Sequence, residues 1–375
     1  MWTMGRKPRL IFLIVLIITT AVSCSDNYKE YPIIKVDNAI NAGNEIIEKF
    51  ISIDCLIPIR DNKILLGTCD KVLTYDSLVY ILDQERILVI NKEGTLHAEI
   101  NQIGMGPGEY SEITDFEIDT NGNILLYCSD EQKVLTYTCD GKFISQERVC
   151  DGTDICLLRN GDIAVYRNIY SDTIASVYRR NGKQHMHYKF EDKRPNILLQ
   201  NGGGIIEYND SLYLTNPLDY NIYKCENGKI TPIVGFDFAE RNLTVEMRQE
   251  QNPRKILKTI HEHEKILHID CLNIRPNFIL LRPSDSKFII YDIFEDCTYK
   301  FGKIKNPYSS ILCSPIYTTS YDNSFAGFVL ASNIEESLLP VTDSEVERYP
   351  FLKILSNPNV KDYLGNDWIV IGHFK

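Results

Sequence analysis

From about residue 48 onward, the chain consists of short runs in which apolar and polar residues alternate. Alternation of this kind over four to eight residues is typical of half-buried β-strands. Asn-Gly and Asp-Gly steps separate many of the runs and favour the positive φ angles of two-residue hairpin turns. The pattern therefore predicts an all-β chain of hairpins. The steps are Asn121-Gly122, Asp140-Gly141, Asn160-Gly161, Asn181-Gly182 and Asn227-Gly228, with Glu93-Gly94 in a similar role.

The strands and turns recur as a unit of four strands. Matching places in the third strand of each unit are held by Val89, Tyr137, Tyr178, Tyr223 and Tyr291, and the first spacings are 48, 41 and 45 residues. These spacings fall near the period of about 40–50 residues that propeller blades show. Five copies span 78–100, 116–148, 155–190, 205–236 and 269–301, and a degenerate sixth spans 310–332.

One four-stranded sheet cannot bury both of its faces, whereas several sheets stacked in a closed ring can. We therefore predict a single domain over 47–375, a six-bladed β-propeller of four-stranded antiparallel blades, with seven blades as the alternative. Closure of the ring needs one blade built from both ends of the chain. The strands 51–57 and 368–371 are the candidates for that blade.

Two segments depart from the strand pattern. In 239–267 the apolar residues approximate a helical period that Pro253 interrupts, which predicts a small helical insertion of two helices over one mouth of the ring. The segment 333–366 is an acidic, proline-containing excursion before the last strand.

The N-terminus has the pattern of a secretion signal. Three basic residues precede an unbroken apolar run of nine residues, 10–18. A transmembrane helix needs about 20 such residues, so the run predicts a cleaved signal peptide over 1–23. The residues before the cut, Ala21-Val22-Ser23-Cys24, resemble the bacterial lipobox, which implies a lipidated Cys24 and a tether over 24–46. An ordinary signal peptide with Cys24 as a plain thiol is the alternative.

The chain is acidic, with a formal charge of −11, or −14 without the first 23 residues. A negative surface without a basic cluster argues against nucleic acid as a partner. Eleven cysteines are present, and ten remain if Cys24 is lipidated. No C-x-x-C motif occurs, and the spacing leaves their disulfide pairing open. Several lie in apolar strands, where a free cysteine behaves as a small core residue.

A longer motif carries a family resemblance. The run Gly104-Met105-Gly106-Pro107-Gly108-Glu109-Tyr110 precedes Phe116-x-Ile118-Asp119. It resembles the six-bladed β-propeller lipoproteins of Bacteroidetes, which are distantly similar to NHL-repeat propellers, and the resemblance covers 54–375. It implies an outer-membrane lipoprotein that faces the periplasm or the cell surface, without a defined reaction. Three short steps also resemble the O-glycosylation motif of that phylum: Asp76-Ser77-Leu78, Asp172-Thr173-Ile174 and Asp210-Ser211-Leu212.

Few residues suggest specific chemistry. The glycine-rich loop lacks the Lys-Ser/Thr of a phosphate-binding loop, which favours a turn between blades. If the loop is functional, Glu109 and Tyr110 face one mouth of the ring as ligand contacts.

Two further sets of residues could be interpreted as metal sites. His261, Glu264 and His268 would share one helix face and could ligate a metal, although a solvated face is the simpler interpretation. A second set resembles a calcium loop but lacks the required glycine and glutamate, which favours a hairpin turn. It comprises Asp119, Asn121 and Asn123. We expect no cofactor, with a divalent cation as the alternative.

No G-x-S-x-G elbow or catalytic triad order is present. The leading functional prediction is a non-catalytic binding or scaffold protein of the cell envelope, whose Tyr-rich propeller mouth binds a glycan, a peptide or a protein. The alternative is a propeller-type polysaccharide lyase, lactonase or other hydrolase with a channel-bound divalent metal. A third possibility is a signalling or assembly partner that binds through the 239–267 helices.

Overall fold

The computed structural model describes residues 31–61, 64–167, 173–190, 204–250, 252–285, 288–301, 316–318, 323–362 and 365–375. Strands dominate these residues, which confirms the all-β prediction. The predicted signal peptide and Cys24 lie outside the described residues.

Three strands precede the repeats: β1 (Ile33–Lys35), β2 (Ile40–Asn41) and β3 (Ile51–Pro58). The strands that follow form four-stranded antiparallel meanders, which we call units 1 to 5. Unit 1 contains β4 (Lys71–Tyr75), β5 (Leu78–Asp83), β6 (Arg86–Asn91) and β7 (Leu96–Ile100); unit 2 contains β8 (Asp115–Ile118), β9 (Ile124–Cys128), β10 (Lys133–Tyr137) and β11 (Phe143–Arg148). Unit 3 contains β12 (Asp154–Leu157), β13 (Ile163–Tyr166), β14 (Thr173–Tyr178) and β15 (Gln184–Lys189).

Unit 4 contains β16 (Gly204–Tyr208), β17 (Ser211–Thr215), β18 (Asn221–Glu226) and β19 (Lys229–Asp237). Unit 5 contains β20 (Ile269–Ile274), β21 (Phe278–Pro283), β22 (Phe288–Asp292) and β23 (Cys297–Phe301). Units 3 and 4 belong to one extended sheet, joined by a single residue pair between Lys189 and Lys229.

The last sheet, unit 6, is built from both ends of the described chain. It contains β24 (Ile316–Thr318), β25 (Ser324–Val329) and β26 (Trp368–Phe374), and its fourth strand is β3. The strands β26 and β3 pair antiparallel from Trp368 opposite Pro58 to Phe374 opposite Ile51. The predicted pairing of these two segments is therefore present in the structure.

The units are arranged in a ring. The first strands of successive units contact one another, and β24 contacts both β20 and β4. Apolar clusters lie between each unit and the next, including one between units 6 and 1. Adjacent residues on one strand belong to clusters on opposite faces of the sheet: Leu73 packs toward unit 2, and Val72 packs toward unit 6. Both faces of each sheet are thus buried by stacking.

We call the end of the ring where the first strands begin the upper end, and the other the lower end. Short turns occupy the lower end, and six of those described carry a glycine with φ between 73° and 88°. The sequence predicted two-residue turns, but only Asn227-Gly228 has positive φ at both residues among the described Asn-Gly and Asp-Gly steps. The other steps form longer turns in which glycine alone adopts the left-handed conformation. The six left-handed glycines of the lower turns are Gly94, Gly122, Gly141, Gly161, Gly182 and Gly228.

The predicted tether differs from the structure where the two overlap. Residues 31–50 follow the outer edge of units 4 to 6 as a belt: β1 pairs parallel with β19, and β2 pairs parallel with β23. A short helix, α1 (Asn44–Ile47), leads into β3. Ile34 and Val36 are buried between units 4 and 5, and Ile47 is buried between units 5 and 6. The polar composition of the segment predicted a tether, although these few apolar residues are buried against the units.

The insertion before unit 5 contains a 3₁₀ turn (Ala239–Arg241) and two helices, α2 (Val245–Gln249) and α3 (Pro253–Glu262). Pro253 is the first residue of α3, after the cap Asn252, so the predicted break falls where expected. Ile256 is buried between units 4 and 5 with Leu243 and Ile266.

The excursion before β26 also contains helices: α4 (Ala331–Leu338), α5 (Asp343–Arg348) and two 3₁₀ segments, Pro350–Ser356 and Pro358–Asp362. Despite its acidic composition it packs on the ring, since Phe351, Leu352 and Leu355 are buried between units 5 and 6. Within the described residues, no helix combines the length and the apolar character needed to cross a membrane.

Candidate functional site

The two ends of the ring carry different connections. The connections between units that the structure describes lie at the upper end, and these include the glycine-rich loop and the helical insertion. The long excursion 330–367 also begins and ends at the upper end, because it joins the second and third strands of unit 6. Charged side chains at this end of the first strands form the candidate functional site.

Its centre is a buried ion-pair cluster on the first strands of units 1 and 2. Lys71, the first residue of β4, places Nζ at 2.8 Å from Asp115 Oδ1 and 3.1 Å from Glu117 Oε1. Asp115 and Glu117 alternate along β8, so both carboxyl groups leave the same face of the strand. The three side chains retain exposed fractions of 12%, 8% and 7%, in that order. They are nearly enclosed but still reach solvent.

The first strand of unit 3 completes this cluster. The backbone N–H of Ile155 donates to Asp115 Oδ2 at 2.9 Å, so one carboxylate links β8 to β12 and to Lys71. Asp154, the first residue of β12, shares a side-chain hydrogen bond with Asp115. We call Lys71, Asp115, Glu117 and Asp154 the channel cluster.

Its charges are unbalanced, because one ammonium group faces three carboxyl groups. Burial lowers the pKa of Lys71, but Asp115 and Glu117 outweigh it and raise that pKa well above its usual value. Burial raises the pKa of Glu117 to about 7, with Lys71 opposing it and Asp115 adding to it. Burial and Asp115 likewise raise the pKa of Asp154 well above its usual value. Burial therefore favours the neutral forms of Glu117 and Asp154, and Lys71 opposes this effect at both.

Glu117 has a further property. Its second oxygen, Oε2, is buried and has no hydrogen-bond partner in the part of the chain that the structure describes. A buried acceptor without a donor costs about 1–3 kcal/mol relative to a satisfied one. This oxygen is thus an acceptor offered to a donor from a ligand or from water.

A second polar group lies on unit 5. Arg282 Nη2 donates to Asp270 Oδ2 at 3.2 Å, and His268 Nε2 lies 3.6 Å from Asp270 Oδ1. Burial lowers the pKa of His268 and Arg282 lowers it further, whereas Asp270 opposes them. The Tyr317 hydroxyl, on unit 6, donates to the backbone carbonyl of Asp70. Charged and polar groups therefore continue from the channel cluster to the far side of the ring.

The predicted ligand contacts have other roles in the structure. Tyr110 is fully buried, and its hydroxyl bonds with the Gln102 N–H and with the carbonyls of Glu85 and Ile100. The interpretation of Tyr110 as a ligand contact is not supported by this position. Glu109 Oε2 accepts from the Gly106 N–H at 2.7 Å and closes its own loop.

The predicted helical metal set does not form on one helix. His261 lies in α3, but the helix ends at Glu262, so Glu264 and His268 lie beyond it. Glu264 has a positive φ of 49° and is exposed, whereas His268 is buried beside Asp270. Because the helix ends at Glu262, the three side chains do not share one helix face.

The calcium-like set forms a turn, as the sequence favoured. Asp119 Oδ1 accepts from the N–H groups of Asn121 and Asn123, so its carboxylate holds the turn backbone. Eight described cysteines are free thiols: Cys55, Cys69, Cys128, Cys139, Cys150, Cys156, Cys225 and Cys297.

Sequence reasoning missed the channel cluster, although one signal was present. Lys71, Asp115 and Asp154 each occupy the first position of the first strand of a successive unit. An alignment of the repeats on their first strands, rather than on their third, would have placed three charged residues at one level of the ring.

The sequence matches one family model over residues 60–360, described as a domain of unknown function, DUF4934. The chain belongs to the DUF4934 family. No curated protein matches it.

Solved structures similar to this DUF4934 chain include a Bacteroides fragilis protein assigned as exported, with a TM-score of 0.65, 17% identity, and coverage of 92% of this chain and 100% of the other. A DUF4221 member from Bacteroides vulgatus gives 0.47 and 12%, covering 87% and 97%. A virginiamycin B lyase from Staphylococcus aureus gives 0.41 and 15%, covering 70% and 78%. The first similarity supports the fold alone, and the other two are too distant to carry an argument.

Proposed function

We propose that this DUF4934 chain is an exported six-bladed β-propeller that binds a polar ligand, of which a glycan is the best match, at the upper end of its central channel. Each unit is taken as one blade, and unit 6 as the blade that closes the ring. The exported assignment of the Bacteroides fragilis neighbour and the N-terminal signal pattern both support export.

The observation that carries the proposal is Glu117 Oε2, which has no partner among the described residues and lies beside other buried carboxyl groups. Replacing a buried ion pair by apolar side chains is often neutral or stabilising, so stability alone does not account for the channel cluster. Glu117 presents an oxygen without a partner among the described residues, and Lys71 and Asp115 place further polar groups beside it. Sugar hydroxyl groups both donate and accept, and they match such a mixed set of polar groups.

Membrane attachment through Cys24 is part of the proposal. Tyr31 and Ile33 lie beside a cleft of about 350 Å³ at the upper end of unit 4, lined also by Tyr220 and Arg248. Tyr31 is the seventh residue after Cys24, and an extended chain covers at most about 3.6 Å per residue. A lipid on Cys24 would therefore keep the upper end within about 25 Å of the membrane. Labelling with a palmitate analogue tests this, and Cys24→Ser should abolish the label.

Binding is tested by calorimetric titration of the purified chain with oligosaccharides and, separately, with short peptides. Glu117→Gln keeps the size of the side chain but replaces one carboxyl oxygen by an amide NH₂ group that only donates, so it should weaken glycan binding about tenfold or more. Asp76→Asn, on an exposed lower turn, is the matched control and should leave affinity unchanged. Binding of peptides but not glycans would change the ligand class. Binding of neither, with the fold intact, would overturn the proposal.

One observation favours an enzyme as the second candidate. Raised carboxyl pKa values, such as that of Glu117, are a feature of general acid–base sites. Lys71 Nζ already occupies the position between the carboxylates that a divalent cation would take, which argues for a metal-independent reaction if there is one. Release of reducing ends from a polysaccharide, lost in Glu117→Gln and kept in Asp76→Asn, would establish this candidate.

A further inference from the structure

The lower end of the ring carries a separate group of metal-ligating side chains at the junction of units 1 and 2. A ring nitrogen of His97, Cys139 Sγ and a carboxylate oxygen of Asp140 lie within 4.8 Å of one another. We call these residues the surface triad. Among the described residues, no other three His, Cys, Asp or Glu side chains come together in this way.

The backbone holds the surface triad in place from two independent elements. His97 lies on β7, the outer strand of unit 1, and points to solvent between the buried or half-buried positions on either side. Cys139 and Asp140 lie in the turn between β10 and β11, which is closed by the hydrogen bond from Gly141 N–H to the Thr138 carbonyl. A Cβ built on Gly141 would lie 3.4 Å from the Glu99 carbonyl oxygen, so the turn rests directly on β7.

His97 Nε2 lies 3.0 Å from Asp140 Oδ1, and Cys139 is half-buried against the core between units 1 and 2. Imidazole, thiolate and carboxylate are together the ligand types of zinc. Ligand atoms bound to tetrahedral zinc at about 2.0–2.3 Å lie about 3.5 Å apart, so a small closure of the triad would suffice. The exposure of His97 and Asp140 leaves one coordination position open to water.

We propose that His97, Cys139 and Asp140 bind a zinc ion that joins the outer strand of unit 1 to the lower turn of unit 2. Three protein ligands and one exchangeable water complete the tetrahedral coordination. Zinc binds the thiolate, so binding displaces the thiol proton of Cys139 to solvent. The site lies at the opposite end of the ring from the channel cluster and does not depend on the proposed ligand.

Cobalt substitution of the purified full chain in detergent tests this site, because cobalt reports its own ligands. One equivalent of Co²⁺ should give the sulfur-to-cobalt charge-transfer band and the intense visible bands of tetrahedral cobalt. One equivalent of Zn²⁺ should displace it. Cys139→Ser should abolish the charge-transfer band, and His97→Asn should weaken zinc binding about tenfold or more.

Cys297→Ser is the matched control, since Cys297 is also a half-buried free thiol but lies on unit 5. Unchanged thermal unfolding of Cys139→Ser in the presence of a chelator would establish that the variant is folded. A charge-transfer band that survives Cys139→Ser, or a wild-type chain that takes up less than one equivalent of zinc, would overturn the proposal.

Discussion

The upper and lower ends of the same ring are built on different principles. At the lower end, six short turns carry a glycine in the left-handed conformation, and turn side chains such as Asp119 hold their own backbone. At the upper end, the described connections between units differ in length, from 149–153 between units 2 and 3 to 238–268 between units 4 and 5, and buried charges cross from one first strand to the next. The repeat thus fixes the lower end by local geometry and leaves the upper end free to differ, which is why we place ligand binding there.

The largest effect is expected when the ammonium group is removed from the channel cluster. Lys71→Met leaves buried carboxyl groups without their cation, and breaking a buried ion pair from one side typically costs about 3–5 kcal/mol of unfolding free energy. The loss should be smaller at pH 5 than at pH 8, since protonation removes the uncompensated charge. Urea unfolding at both pH values measures it.

Lys258→Met is the control for that experiment. Lys258 is 73% exposed and lies 3.7 Å from Glu262, and an exposed pair of this kind contributes about 0–1 kcal/mol. If the two substitutions lower the unfolding free energy equally, then the ion pairs of Lys71 with Asp115 and Glu117 contribute no more than an exposed pair.

The lower end has its own test in the turn glycines. Gly94 has a φ of +82°, and a Cβ there would lie 1.9 Å from the carbonyl oxygen of Pro58 on unit 6. Gly94→Ala therefore combines a left-handed backbone, at about 1–2 kcal/mol, with a clash against fixed backbone, at about 1–3 kcal/mol. Thermal or urea unfolding should show a loss of stability equal to the sum of these two contributions.

Gly161→Ala separates the two contributions. Gly161 has a φ of +88°, but a Cβ there meets nothing closer than Arg180 Cγ at 3.9 Å. This variant should lose only the backbone contribution. If Gly94→Ala costs no more than Gly161→Ala, then the lower turn of unit 1 does not rest on unit 6.

What the sequence could predict is largely this lower end and the stacking of the units. Alternating apolar residues specify strands, Pro253 begins a helix, and 51–57 pairs with 368–371; each follows from local pattern or from the need to close the sheet. The turn glycines were also predictable, because positive φ is a local requirement.

The rest depends on contacts between segments that are distant in the sequence. Lys71, Asp115 and Asp154 lie about 40 residues apart, and their meeting depends on the order and register of three sheets. The sequence did not predict the belt for the same reason, since Ile34 and Val36 are buried only because β1 pairs with the outer strand of unit 4. The burial of Tyr110 likewise follows from how its loop folds back on unit 1.

A smaller effect should distinguish Glu117 from an ordinary surface carboxylate. Its pKa is about 7 in the folded chain and near 4.5 when unfolded, so between these values the folded form holds a proton that the unfolded form has lost. Wild-type stability should therefore fall with rising pH in this window, by up to about 1.4 kcal/mol per pH unit. Glu117→Gln lacks this dependence, so its stability relative to wild type should rise from pH 5 to pH 7 and then level off.

Urea unfolding at half-unit pH steps measures that difference, with Glu262→Gln on the exposed end of α3 as the matched substitution. A stability difference between Glu117→Gln and wild type that stays constant with pH would mean that Glu117 is neither buried nor crowded by charge at the upper end.

The smallest effect concerns the glycine-rich loop, where the Tyr110 side chain is buried and hydrogen-bonded. Tyr110→Phe removes one hydroxyl that bonds the Gln102 N–H and the carbonyls of Glu85 and Ile100, and a net loss of about 1–2 kcal/mol is expected from urea unfolding. Ligand affinity should stay unchanged, because the hydroxyl is enclosed within unit 1 and its connection. Tyr208→Phe, at the half-buried lower end of β16, is the matched substitution for stability. A loss of ligand affinity in Tyr110→Phe without a loss of stability would return this loop to the binding site and move that site away from the channel cluster.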